Sequence, residues 1–88
     1  MIGMDDMYTQ LFEIAKQCID IIKPVYPNED LETFIDVGEP DLAVVRALDL
    51  AHDNPDLLRK FPDSVRQLTK NKDYPEIQIF ANLLNSQQ

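Results

Sequence analysis

The sequence predicts an all-α fold, a small single-domain bundle of about four to five helices, and three observations carry that expectation. Apolar residues recur at spacings of three and four along most of the 88 residues. No stretch sustains the alternate-residue pattern of a half-buried strand. Six prolines stand where helices begin or end, and only two glycines interrupt the chain.

The first helix is predicted over 4–23. Its Met7, Leu11, Ile14, Cys18 and Ile22 form a stripe at helical period, with Tyr8, Phe12, Ala15 and Ile19 beside it. Asp5 and Asp6 suit the positive end of the helix dipole, and Pro24 stops the helix. Pro27 and Asn28 turn the chain into a second helix, where Leu31, Phe34 and Ile35 fall at i, i+3 and i+4 and are assigned to the core. Gly38 ends it as a left-handed cap. The third helix starts at Glu39 or Pro40, since proline fits a first helical turn. Its main stripe is Leu42, Val45 and Leu48, with Val44, Ala47 and Ala51 on the flank.

Asn54-Pro55 closes that helix and opens a short helical turn bearing Leu57, Leu58 and Phe61. Pro62-Asp63, with Ser64 as a helix-start residue, leads into Val65 and Leu68, and the two pieces are expected to make one bent unit. Tyr74-Pro75 opens a last helix lined on one side by Ile77, Phe80, Ala81 and Leu84. Ile77, Ile79 and Ala81 alternate as a short strand would, but Leu83-Leu84 continues the helical pattern better. Residues 1–4 and 86–88 are expected to fray. With no internal repeat, low-complexity tract or long linker, 1–88 reads as one domain.

At 44% hydrophobic and 27% charged residues, the chain has the apolar content of a folded protein. Its length suffices for one core and leaves little for a cleft between two lobes, which argues against an elaborate enzyme. No stretch approaches the roughly 20 apolar residues of a membrane span. The acidic start, Met1 to Asp6, is unlike a secretory signal, so a cytoplasmic location and no membrane partner are expected. Cys18 stands alone among Ala15, Ile19 and Ile22 and is expected to pack as a small apolar residue.

The chain carries few groups suited to chemistry. One histidine and two serines, Ser64 and Ser86, are a poor supply for nucleophilic catalysis. One Cys and one His do not make a structural zinc site. The run Asp36-Val37-Gly38-Glu39-Pro40-Asp41 breaks the spacing of a calcium loop, and Gly3 and Gly38 cannot build a glycine-rich phosphate loop. No cofactor, no metal and no catalytic role are expected. His52, beside Asp53 near the end of the third helix, suits that helix's negative terminus.

Charge is the informative feature. Residues 1–44 hold ten acids against Lys16 and Lys23, whereas residues 45–88 hold six of each sign, so the whole net charge of −8 lies in the first half. Between Pro24 and Val45 stand Glu29, Asp30, Glu32, Asp36, Glu39 and Asp41, with no Lys or Arg. Such a single-sign window suits a basic partner and repels nucleic acid. The late bases Arg59, Lys60, Arg66, Lys70 and Lys72 are interspersed with Asp56, Asp63 and Asp73, so they form no uniform basic stripe and no direct nucleic-acid contact is expected. The candidate partner-binding residues are Glu29, Glu32, Asp36, Glu39 and Asp41. On the second helix Glu32 and Asp36 share an outward face, with Glu29 one turn earlier, and Glu39 and Asp41 extend it around the glycine turn. The competing reading of these acids is a merely solvated face.

The run Leu31-Glu32-Thr33-Phe34-Ile35-Asp36-Val37-Gly38-Glu39-Pro40-Asp41-Leu42-Ala43 resembles a motif of small bacterial immunity proteins, the Maf-type and related polymorphic-toxin families of contact-dependent inhibition. In those, a helix ending in a Phe-Ile-Asp-x-Gly-Glu-like turn leads into a Leu-Ala-rich helix. Phe34, Ile35, Asp36, Gly38, Glu39, Leu42 and Ala43 carry the likeness. Pro40 departs from the family's frequent aromatic or polar residue, and Val44-Val45 stands where a leucine pairing is usual. The resemblance implies a cytoplasmic protein that neutralises the C-terminal domain of a secreted toxin, frequently a nuclease. A basic RNase or DNase presents a positive cleft to phosphates, and an acidic helical surface can occupy that cleft without any chemistry of its own. A reading of another class is an acidic helical adaptor, regulatory subunit or nucleic-acid-mimicking regulator. Nothing in the pattern specifies an oligomeric state.

Overall fold

Twenty residues of helical pattern free of proline give the longest element, α1 (Gly3–Ile22). It is followed by α2 (Glu32–Asp36), α3 (Pro40–Ala51), α4 (Pro55–Leu58), α5 (Asp63–Leu68), α6 (Pro75–Gln78) and α7 (Ala81–Asn85). The computed structural model describes residues 3–85, with side chains from Tyr8 onward. Among these residues the fold is all-α, without a strand. Of the residues expected to fray, Gly3 and Met4 stand within α1, while 1–2 and 86–88, with the side chains of Asp5, Asp6 and Met7, lie outside the described part.

Only α1 and α3 exceed six residues, and they pack chiefly against each other. Leu11, Ala15, Cys18, Ile19 and Ile22 of α1 are buried. On α3 the buried residues are Pro40, Ala43, Val44, Ala47, Leu48 and Ala51. This corrects the expected orientation of α3: its predicted flank forms the core, while Leu42 and Val45 of the predicted main stripe are only partly buried. The reason is side-chain size. Ala43, Ala47 and Ala51 recur every four residues, and with Ala15 and Cys18 they let two helices come closer than a leucine seam would.

The short helices and the segments between them complete the core. Leu57, Leu58, Phe61, Val65, Leu68, Ile77 and Leu84 are all buried in it. Prolines start α3, α4 and α6, where a missing backbone donor is harmless. The Asn54 side chain accepts from the Leu57 N–H at 3.2 Å and so caps α4. Pro62, extended at φ −69° and ψ 159°, separates α4 from α5. The expected single last helix is two: a Phe80 N–H bond to the Ile77 carbonyl at 3.0 Å tightens the chain between α6 and α7. Ile77 and Leu84 both reach the core across that break. The Cα radius of gyration is 12.4 Å, close to the ~12 Å of a globule this long.

Candidate functional site

The acidic segment is organised around one turn. After α2, the Gly38 N–H bonds to the Ile35 carbonyl at 3.1 Å and the Glu39 N–H to the Phe34 carbonyl at 2.8 Å. This paired arrangement terminates a helix through a left-handed residue, and Gly38 supplies it at φ +78°. The cap assigned to Gly38 from sequence is therefore present. A third bond pins the turn from outside: the Tyr8 hydroxyl donates to the Gly38 carbonyl at 2.9 Å. Tyr8 in turn stands edge-on to Phe12, with ring centroids 4.9 Å apart. Pro40 then starts α3 at once, so the chain reverses within a few residues and holds Asp36 and Glu39 on either side of a fixed corner.

The five candidate carboxylates are not equivalent. Asp36 and Glu39 are exposed, and their carboxylates make no hydrogen bond or ion pair among the described residues. Glu32 accepts from the Lys23 ammonium at 2.8 Å. That bond holds the Glu32 carboxyl below its usual range and pushes the Lys23 amine up. Glu29 precedes α2 rather than extending it, and it pairs with Arg46 of α3 at 3.2 Å. Arg46 also reaches Asp49 at 3.3 Å. Asp41, partly buried, meets Glu76 at the start of α6, and the carboxyl-carboxyl hydrogen bond between them raises the Glu76 pKa. Burial, with the charge of Asp41 next, raises the pKa of neighbouring Tyr74. The acids thus do not form one continuous outward array. Glu29 turns to α3, Glu32 to the end of α1 and Asp41 to α6, which leaves Asp36 and Glu39 at the turn with free carboxylates.

The expected common face of Glu32 and Asp36 is present, and it borders a groove of about 290 Å³ between α1 and α2. Ile19 and Ile35 floor it, and Lys16, Asp20, Glu32 and Asp36 surround them. Asp20 and Lys16 belong to α1 and fall outside the acid-only window of residues 24–45, so sequence reading misses them. Their position one turn apart on the edge of the α1 apolar stripe was the available signal. Phe34 and Ile35, assigned to the core, are packed on it but only partly buried. Leu31 is buried as expected.

Elsewhere the chemistry is modest. Cys18 is fully buried, and burial pushes its thiol up to about 12, which makes it an inert apolar residue. His52 caps the end of α3: its Nδ1 lies 2.8 Å from the Asp49 carbonyl, and its Nε2 3.0 Å from Asp53. The carbonyl first and Asp53 second raise its pKa. Among the described residues no group of three or more His, Cys, Asp or Glu is placed to hold a metal ion. No helix among them is long and apolar enough to cross a membrane. A second groove of about 410 Å³, lined mainly by Phe34, Leu42, Val45 and Phe80, is apolar, and Ile79 at its edge is 76% exposed.

No family model, curated protein or solved structure matches the chain. Its geometry defines an all-α domain that carries a rigid, acidic helix-turn-helix corner.

Proposed function

We propose that this chain is an immunity protein that acts in the cytoplasm, binding the C-terminal domain of a cognate bacterial toxin and covering its active site with acidic side chains. The supporting observation is the corner itself. Two carboxylates without internal partners, Asp36 and Glu39, flank a turn fixed by three hydrogen bonds, so they meet a cationic surface with little ordering still to be done. A basic nuclease, RNase or DNase, is the toxin class that such a surface fits, because its phosphate-binding cleft attracts the same charges. The resemblance of residues 31–43 to Maf-type immunity motifs points the same way, since those residues build this corner. Glu32 contributes at the edge. Glu29 acts mainly by tying the segment before α2 to Arg46 of α3, and Asp41 is engaged with Glu76 of α6.

The test is co-expression with the toxin domain encoded by the neighbouring reading frame. The native chain suppresses toxicity, and the double reversal Asp36→Lys/Glu39→Lys does not, while its melting temperature stays within about 2 °C because both residues are exposed and unpaired. Undiminished protection by the reversed protein would remove the corner from the interface. If no neighbouring frame is toxic and the chain is instead recovered on a basic non-toxin protein through the same residues, the acidic adaptor reading replaces the immunity one.

A further inference from the structure

The groove between α1 and α2 combines an apolar floor with a carboxylate rim. Ile19 is 6% exposed and Ile35 partly buried, so the floor offers carbon rather than water-binding groups. Asp20 of α1 and Asp36 of α2 both line it, and neither makes an ion pair among the described residues, although the charge of Asp20 also acts on Lys23. Glu32 is already held by Lys23, and among the described residues Lys16 is the cation that lines the groove. At about 290 Å³ the space lies at or below the lower limit of small-molecule pockets and suits one long side chain.

We infer that this groove is a socket for one arginine side chain of a basic partner protein, with its guanidinium lying on Ile19 and Ile35 and forked between Asp20 and Asp36. The choice of arginine follows from its chemistry. A guanidinium is planar and weakly hydrated, so it lies on an apolar floor at small desolvation cost, and its fixed fork of donors can serve two carboxylates at once. An ammonium is compact and strongly hydrated, and it loses more water than the floor returns. Phosphate and nucleic acid are repelled by the three carboxylates. Lys16 works against the incoming cation and limits its affinity.

This inference rests on the acidic corner being a docking surface for a basic protein, but it is testable apart from toxins. The probe is a pair of peptides, Gly-Gly-Arg-Gly-Gly and Gly-Gly-Lys-Gly-Gly with blocked ends, titrated into the intact chain and followed by methyl NMR. The arginine peptide shifts the Ile19 and Ile35 methyl signals and binds about threefold more tightly than the lysine peptide. Asp20→Asn and Asp36→Asn each weaken it about threefold, the scale of an exposed charge pair, and Lys16→Gln strengthens it. Asp53→Asn, outside the groove, leaves it unchanged. Equal binding of the two peptides, or isoleucine signals that do not move, overturns the socket by reducing the interaction to diffuse charge attraction. The two readings fail separately. Loss of toxin protection on the Asp36/Glu39 reversal, together with equal binding of the two peptides, removes the socket and keeps the immunity role, whereas arginine binding without any toxin keeps the socket alone.

Discussion

Gly38 shows how much one residue can settle. Its φ of +78° lies where an L side chain is strained, and a Cβ there would stand 3.5 Å from the Tyr8 hydroxyl, which is ordinary contact. The backbone conformation therefore carries the effect of substitution rather than crowding. Gly38→Ala is expected to destabilise the chain by about 1–2 kcal/mol, read as a urea midpoint shift without a change in slope. Binding of the proposed basic partner should weaken as well, because the same turn holds Asp36 and Glu39. This residue was legible in the sequence, since a glycine after a helical pattern and before a proline has few other uses. So were the burial of Cys18 and the capping position of His52. The pairings of Glu29 with Arg46 and of Glu32 with Lys23 were not, because they join residues 17 and 9 apart whose approach only tertiary packing decides.

Among the elements, α3 carries the main lesson. Counting apolar residues by size places Leu42, Val45 and Leu48 inward; the fold buries Leu48, leaves Leu42 and Val45 partly exposed, and packs the alanine-rich face against α1. Periodicity locates a helix well but fixes its rotation poorly when two adjacent faces are both apolar. The consequence is a specific ranking. Ala47→Leu should cost about 1–3 kcal/mol by overpacking the α1–α3 seam, whereas Val45→Ala, on the partly buried side, should cost about 1 kcal/mol or less. Thermal melts of the two variants decide the matter, and the reverse order would contradict the seam. The α3–α6 junction gives a pH prediction. Glu76 binds its proton more tightly folded than unfolded, so the native state gains at low pH and loses that gain as pH rises through the raised pKa. Glu76→Gln keeps a donor for Asp41 and removes the like charge. It should raise the melting temperature at pH 7 and lose the advantage near pH 4, which melts at the two pH values will show.

At the scale of the whole molecule, the charge asymmetry read from sequence survives folding only in part. The net charge of −8 is unchanged, yet the acids of the first half are divided among the corner, the α1–α2 groove and contacts with α3 and α6. Composition and helical period were enough for the fold class, because both are local properties. The helix count was not, since breaks such as the one between α6 and α7 carry no glycine or proline to announce them. A molecule this acidic should respond to salt in two opposed ways. Raising ionic strength to about 0.5 M screens self-repulsion and should lift the melting temperature slightly, while association with a basic partner slows. Stopped-flow association rates and melts in one salt series measure both, and a rate insensitive to salt would speak against electrostatic docking.

The Tyr8 tether to the Gly38 carbonyl has a practical side. The chain has no tryptophan, and three tyrosines supply its ultraviolet emission. One of them is bonded to the backbone of the corner where a partner is proposed to land. Tyr8→Phe subtraction spectra would isolate its signal, making the native protein its own optical sensor of occupancy without any attached dye.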